Sequence, residues 1–405
     1  MNPNEATAQR FSVEVPASGR LLLSLLAKLH QGCLDLRAPG GQVFNFAGEL
    51  PGPAATIQLR DWKVIGDVMR SGDVAFAKAY LDGRWQTPDL TALLELVAVN
   101  RGVLERLIHG SWWGRLIYRL RHLRRANTRN KAKDNIQAHY DLGNDFYRSW
   151  LDRTMTYSAG LFEGDSTRSL EQAQEAKYER ILRRLNVRAF DHILEIGCGW
   201  GGFAEYAART RGCRVTGITI SPAQLEFARR RIATARLSHF VEIALTDYRD
   251  VQGDFDYIVS IEMFEAVGEK FWPEYFSVLR NRLKPGGRAL IQTITIAEEL
   301  FSRYRKSTDF IQQFIFPGGM LPSLGVFRKM ALRAGLTVRD EHRFGIDYAE
   351  TLKHWRTRFL AVSQDLRVLG FDARFEKLWN FYLTYCEAGF RATSTDVMQL
   401  ELARE

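Results

Sequence analysis

From about residue 135 onward, short apolar runs alternate with segments of helical spacing. HILEIG, RVTGITIS, FVEIAL, FDYIVSIEMF and RALIQTITI read as strands, and FAEYAART, PAQLEFARRRIATA and PEYFSVLRNRLK, between most of them, read as helices. Continuous apolar strands separated by helices predict an α/β fold, a mostly parallel sheet covered on both faces. Such sheets bind ligands at the carboxyl ends of their strands. The segment from 347 to 404 reads as largely helical and aromatic, packed over that binding edge.

The first of these strands runs into glycines: Leu194 to Gly202 is LEIGCGWGG. Gly197, Gly199 and Gly201 allow a tight turn and a close backbone approach to a ligand. A dinucleotide fingerprint needs G-x-G-x-x-G; the spacing here is G-C-G-W-G-G, with Trp200 inside it and Glu195 just before it. A carboxylate beside a glycine turn suits a cationic amino-acid cofactor, which points to S-adenosylmethionine. The next two strand ends agree. GITIS, with Thr219 and Ile220, is followed by Pro222, Ala223 and Gln224, where a ribose would lie. TDYRD then offers Asp247 to an adenine amino group, with Tyr248 beside the ring. Each could be turn or cap chemistry alone; their occurrence at successive strand ends predicts a methyltransferase.

The 405 residues suffice for two domains or one large one with an appendage. The boundaries read as an N-terminal α+β or mostly helical domain over 1–110, a basic amphipathic linker helix over 111–135, and a methyltransferase domain over 136–405. Within the first, LLLSLLAKL reads as a buried helix, CLDLRAPGGQVFNFAG as two strands around a Gly-rich turn, and DWKVIGDVMRSGDVAFAKAYLDGRW as a helix that Gly83 can stop. In the second, Trp113, Leu116, Ile117, Leu120 and Leu123 share helical spacing, and Arg115 to Lys133 holds eight Lys or Arg and no acid. The net charge is +9. A basic amphipathic helix suits an anionic membrane surface, each cation adding about 1 kcal/mol there; a solvated linker is the alternative. Nucleic acid is discounted as a partner, because the basic run is remote from the catalytic motifs.

Cys33, Cys198, Cys213 and Cys386 lack metal-ligand spacing, so no metal site is expected, and they suit a reducing compartment. MNPNEATAQRF is not a secretory leader, and Leu21 to Leu29 is too short to span a bilayer. The expected location is cytoplasmic, peripheral at the inner membrane face. A homodimer is compatible with the sequence, which does not set the oligomeric state.

Several segments together resemble the cyclopropane-fatty-acid synthases. They are QAHYDLGNDFYRSWLDRTMTYSAGLF (137 to 162), LEIGCGWGGFAEYAA, SIEMFEAVG (260 to 268), FIFPGGMLPS (314 to 323), FGIDYAETLKHW and YLTYCEAGFR (382 to 391), with GDVAFAKAYLDGRW near the N-terminus. The resemblance covers most of the chain. It implies a Rossmann-like seven-stranded methyltransferase sheet, a smaller N-terminal lipid-contacting domain and helical additions over the active site. It also implies that the methyl carbon of S-adenosylmethionine is added to the double bond of an unsaturated acyl chain of a membrane phospholipid. Tyr157 and Ser158 match cofactor-pocket positions, and Cys386 matches an active-site cysteine that packing explains equally well.

The resemblance further implies a bound bicarbonate ion as base, held by Cys, Glu, His and Tyr side chains and backbone. Glu265 and Tyr348 match two of these ligands. The Cys position is Ala159, the His position is Gln292, and E-H-V-G has become E-A-V-G with Ala266. Loss of a thiol and an imidazole should weaken the anion site. A cation without an efficient base can shift a hydride and lose a proton elsewhere, giving a methyl-branched or methylene chain. Family likeness favours cyclopropane, Ala159 and Gln292 favour the branched product, and the intact motifs disfavour a non-catalytic lipid-binding protein of the same fold. Exchange of Arg119, Arg121, Arg124 and Arg125 for Gln should weaken sedimentation with anionic liposomes and spare activity on detergent-dispersed lipid; unchanged sedimentation at moderate salt would make 111–135 a linker.

Overall fold

The structure is a computed structural model and describes residues 15–104, 142–165 and 167–404. The basic segment 111–135, with its expected membrane contact, lies outside the described residues.

Two sheets organise the molecule. The N-terminal one has four strands, β1 (Gln31–Arg37), β2 (Val43–Ala47), β3 (Leu50–Leu59) and β4 (Trp85–Gln86), in the order β2-β1-β3-β4. β1 and β2 pair antiparallel around the Gly-rich turn, as the sequence predicts, while β3 pairs parallel to β1. The helix Ala17–Leu26 buries Leu22, Leu23 and Leu26. The helix Lys63–Leu81 is interrupted at Gly72, whose φ of 62° and ψ of −140° are not helical.

The large sheet contains β5 (His192–Ile196), β6 (Arg214–Thr219), β7 (Val241–Leu245), β8 (Phe255–Ile261), β9 (Leu283–Ile296), β10 (Leu336–Arg343) and β11 (Thr395–Arg404). Its order is β10-β11-β9-β8-β5-β6-β7. β5 through β9 pair in parallel, and β11 runs antiparallel to both β9 and β10. The fold is therefore α/β with a seven-stranded, mostly parallel sheet. The five strands read from sequence are β5 to β9.

The reading of 347–404 as largely helical is corrected at its end. The helices Gly345–Ala361 and Ala373–Arg391 are there, but Thr395–Arg404 is a strand inside the sheet. Its residues 397 to 403 are all buried, polar Gln399 and Glu401 included. Burial on both faces removes the alternation that marks a strand. Arg184 and Arg288 each reach Glu401 at 2.9 Å, which offsets part of its desolvation.

The N-terminal elements share a core with the C-terminal helices, from Leu34, Leu36 and Leu94 to Phe381 and Trp379. Asn100 fastens the base of that core. Its Oδ1 accepts from the N–H groups of His30 (2.9 Å) and Gln31 (3.1 Å), and its Nδ2 donates to Gln31 O and Leu96 O. Asn100 is 2% exposed, so the backbone groups it serves have little water to fall back on. Asn100→Ala should lower stability by about 2–3 kcal/mol, read as a lower urea midpoint.

Candidate active site

The glycine turn has the geometry the sequence predicts. Gly197, Gly199 and Gly201 have φ of 81°, 53° and 81°, a region that side chains disfavour. A Cβ on Gly197 would meet Met263 and one on Gly201 would meet Ala228, but one on Gly199 has no protein atom within 4 Å. The backbone at Gly199 thus faces open space, as a ligand-approach point must.

The side chains around this turn are more committed than the sequence suggested. Trp200 is buried, and its indole donates to Asn144 Oδ1 at 2.8 Å. Thr219 Oγ1 donates to Gln224 Oε1 at 2.8 Å and accepts from the Ser221 N–H, so both are engaged locally beside Ile220. Asp247 caps the turn that follows it and holds Arg249 through both oxygens, at 2.8 and 2.6 Å. Tyr248 lies 5.5 Å from the Tyr275 ring. Burial pushes the Glu195 carboxyl up to about 8, opposed by Arg231, Lys177 and the Ala204 N–H.

At the carboxyl ends of β8 and β9 stand two glutamates. Glu265 Oε1 accepts from Thr293 Oγ1 at 2.9 Å and from the Ile294 N–H. Its Oε2 has no hydrogen-bond partner among the described residues. Burial, then the neighbouring Glu262 charge, pushes this carboxyl up to about 8. Glu265 and Tyr348, expected as two ligands of one anion, do not bond the same group here. Tyr348 donates its hydroxyl to Glu262 Oε2 at 2.6 Å, while Gln292 Nε2 and the Ala159 N–H both reach Glu262 Oε1 at 2.8 Å. Glu262 lies three residues before Glu265, so each leaves the strand end in its own direction. Both are shielded enough to be raised, and both residues keep a little exposed surface.

Aromatic side chains cluster around Tyr348, which bonds Glu262. Tyr157 shares a 2.7 Å hydrogen bond with Tyr382 and lies 5.1 Å from the Trp355 ring. Tyr348 packs 4.5 Å from Phe390. Ser158 accepts from the Lys177 ammonium at 2.6 Å. Lys177 is fully buried, and burial pulls its ammonium down to about 7. Cys386 is half-buried, and its surroundings push the thiol well up, so it is a neutral group at the wall and a poor nucleophile.

Sequence reasoning missed Glu262 and Lys177. Glu262 lay inside SIEMFEAVG, and its signal was the second carboxylate at i−3. Lys177 sits on the helix Leu170–Leu185, among residues that look like an ordinary charged face.

Known proteins align with this architecture. Residues 127–400 match the family model for mycolic acid cyclopropane synthetase. The chain belongs to the cyclopropane synthase family. It is 39% identical to the tuberculostearic acid methyltransferase UfaA1 of Mycobacterium tuberculosis over 83% of this chain and 80% of that protein. It is 33% identical to the cyclopropane-fatty-acyl-phospholipid synthase of Escherichia coli over 86% of this chain and 88% of that one. Among solved structures, mycolic acid cyclopropane synthase CmaA1, complexed with SAH and CTAB, superposes with a TM-score of 0.63 at 32% identity, covering 67% of this chain and 98% of that one. The chain is an S-adenosylmethionine-dependent methyltransferase of this family.

Two outcomes follow. Gly199→Val should keep the fold and lose S-adenosylmethionine binding in calorimetry, because the added side chain stands in ligand space. Glu265→Gln should change how stability depends on pH. A carboxyl raised in the folded state stays protonated while the unfolded one ionises, so it erodes stability as pH rises from about 4.5 towards 8. The Gln variant should lose that erosion and gain stability over wild type across this window in thermal melts.

Proposed function

We infer that this chain adds the methyl carbon of S-adenosylmethionine to the double bond of an unsaturated fatty acyl chain in a membrane phospholipid. The observation that carries this reading is the pair of shielded glutamates at the end of β8, with Tyr348, Tyr157, Tyr382 and Phe390 packed near them, beside the glycine turn. The cofactor supplies an electrophilic methyl group when bound. Gly199 leaves its approach open, and Glu195 adds a carboxyl group at the strand end before the turn. An alkene is a weak nucleophile, so it must be held close to the methyl and in line. The neighbouring carbon then becomes cationic, and Tyr157, Tyr348, Tyr382 and Phe390 offer ring faces to it. The same rings exclude the water that would trap the cation as an alcohol. A carboxylate at the end of β8 accepts the proton that must leave.

An acyl substrate also needs apolar room. A cavity of about 940 Å³ lies between the N-terminal sheet and the helix Ala373–Arg391, lined by Leu34, Leu36, Ile57, Leu59, Leu93 and Phe381. Tyr382, next to Phe381 on that helix, bonds Tyr157. Arg101, Arg303 and Lys306 border the cavity too, which suits a phosphate headgroup. Asp73 and Asp309 also face it, and burial pushes both carboxyls up, Asp309 to about 7.

A second reading changes the product only. Ala159 and Gln292 replace anion-holding side chains, which favours a methyl-branched or methylene chain over a cyclopropane. No described helix is long and apolar enough to cross a membrane; an approach to lipid through the basic segment 111–135 belongs to this proposal. The test is purified protein with S-adenosylmethionine and a monounsaturated phospholipid, followed by mass spectrometry of the released acyl chains. A gain of one CH₂ per chain is expected, with none on a saturated lipid. Retention or loss of unsaturation separates the products. Unmodified lipid from protein that binds the cofactor would overturn the reading.

A further inference from the structure

The family resemblance asks for a bicarbonate ion among the residues at positions 159, 265, 292 and 348. The structure leaves no place for one among three of these four. The Ala159 N–H, the Gln292 amide and the Tyr348 hydroxyl all converge on a carboxylate that the chain already carries, that of Glu262. Two features hold it there. Its backbone N–H donates to Gln292 O at 2.8 Å, and its φ is 50°, a conformation that only over-determined residues keep. Gln292 is itself fixed, accepting at 3.0 Å from Gln399 on β11, which in turn accepts from Arg180. Ala159, with no thiol, leaves space, and the Gln292 amide gives the carboxylate a fixed neutral donor.

We propose that Glu262 is the proton acceptor of the reaction, a built-in carboxylate in place of a bound bicarbonate ion. This rests on the acyl-methylation reading above. Methyl transfer makes a C–C bond, breaks the C–S bond and leaves the adjacent substrate carbon cationic. Glu262 then takes a proton from the new methyl group or from a carbon flanking the cation. The C–H electron pair closes the ring or forms a double bond, and Glu262 becomes a neutral carboxyl that returns its proton to water after product leaves. Among the described residues Oε2 accepts one hydrogen bond, from Tyr348, and a second lone pair can take the proton. Glu265 is less suited. Its two donors, the Thr293 hydroxyl and the Ile294 N–H, both reach Oε1, and among the described residues none reaches Oε2 to hold a charge there. Burial raises the Glu262 carboxyl, and Lys177 together with the Tyr348, Ala159 and Gln292 donors works against that rise.

Two variants test this. Glu262→Gln keeps the volume and should reduce turnover about a hundredfold or more, with cofactor affinity by calorimetry and thermal midpoint nearly unchanged. Glu262→Gly opens a carboxylate-sized space among the three donors. Titrated with sodium bicarbonate alone, this variant should bind the ion and wild type should not; added bicarbonate or formate should restore its turnover and leave wild type unaffected. Saturable bicarbonate binding by wild type, or full activity of Glu262→Gln, would overturn the proposal. The bicarbonate titration needs no lipid, so its result stands apart from whether the acyl substrate is correct.

Discussion

A carboxylate taken out of water must find donors, and in this protein that requirement organises the strand ends. Glu262 and Glu265 leave the end of β8 three residues apart and draw in groups from distant parts of the chain. The Ala159 N–H comes from the segment before the sheet, Gln292 and the Ile294 N–H from β9, and Tyr348 from the helix Gly345–Ala361. Removing one donor would leave a shielded charge underserved, which costs more than an ordinary hydrogen bond returns. Four chain segments are thereby tied to one point. The sheet supplies that point because β8 and β9 run parallel, with their carboxyl ends on the same edge.

The order of the sheet explains why β11 has to be where it is. Gln399 bonds Gln292, and Glu401 receives Arg184 and Arg288. The last strand thus backs the strand that carries the site, and its polar side chains face arginines and amides across β9 and the helix Leu170–Leu185. A purely apolar strand there would pack as well and would leave Gln292 free to rotate. Gln292 held by Gln399 on one side and Glu262 on the other has a single orientation, with its amide N–H₂ towards the carboxylate.

How far this was readable from sequence depends on which signal carried each part. The parallel strands β5 to β9 were legible because each is a short apolar run ended by turn chemistry. The glycine turn was legible because positive φ at Gly197, Gly199 and Gly201 demands glycine. β11 was not, since TDVMQLELAR is rich in good helix formers and its burial on both faces erases alternation. At the site, motif matching brought in Glu265, Tyr348, Gln292 and Ala159 but not Glu262, to which Tyr348 donates. Residue spacing says two carboxylates are near; it does not say which points at a tyrosine more than eighty residues later. Likewise, Asp247 and Gln224 stand at the expected strand ends, while their present bonds to Arg249 and Thr219 depend on rotamers that no spacing rule reports.

The helix Ala373–Arg391 touches both parts of the molecule that the proposed chemistry needs. Phe381, Tyr385 and Ala388 line the apolar cavity against the N-terminal sheet, while Tyr382 and Phe390 turn to Tyr157 and Tyr348. A helix that packs on one face alone would show one apolar stripe; this one buries Trp379, Phe381, Tyr382, Leu383 and Phe390, covering more than half its circumference. Aromatic residues suit that duty, since each buries a large area and Tyr adds a polar tip for a partner. The N-terminal elements then have a role beyond enlarging the core. Without Leu34, Leu36, Ile57 and Leu59 one wall of the cavity is missing, and an acyl chain lying along that face of the helix would sit against water. Under the proposed reading, the N-terminal sheet keeps the substrate's tail dry while the large sheet keeps the reacting carbon dry.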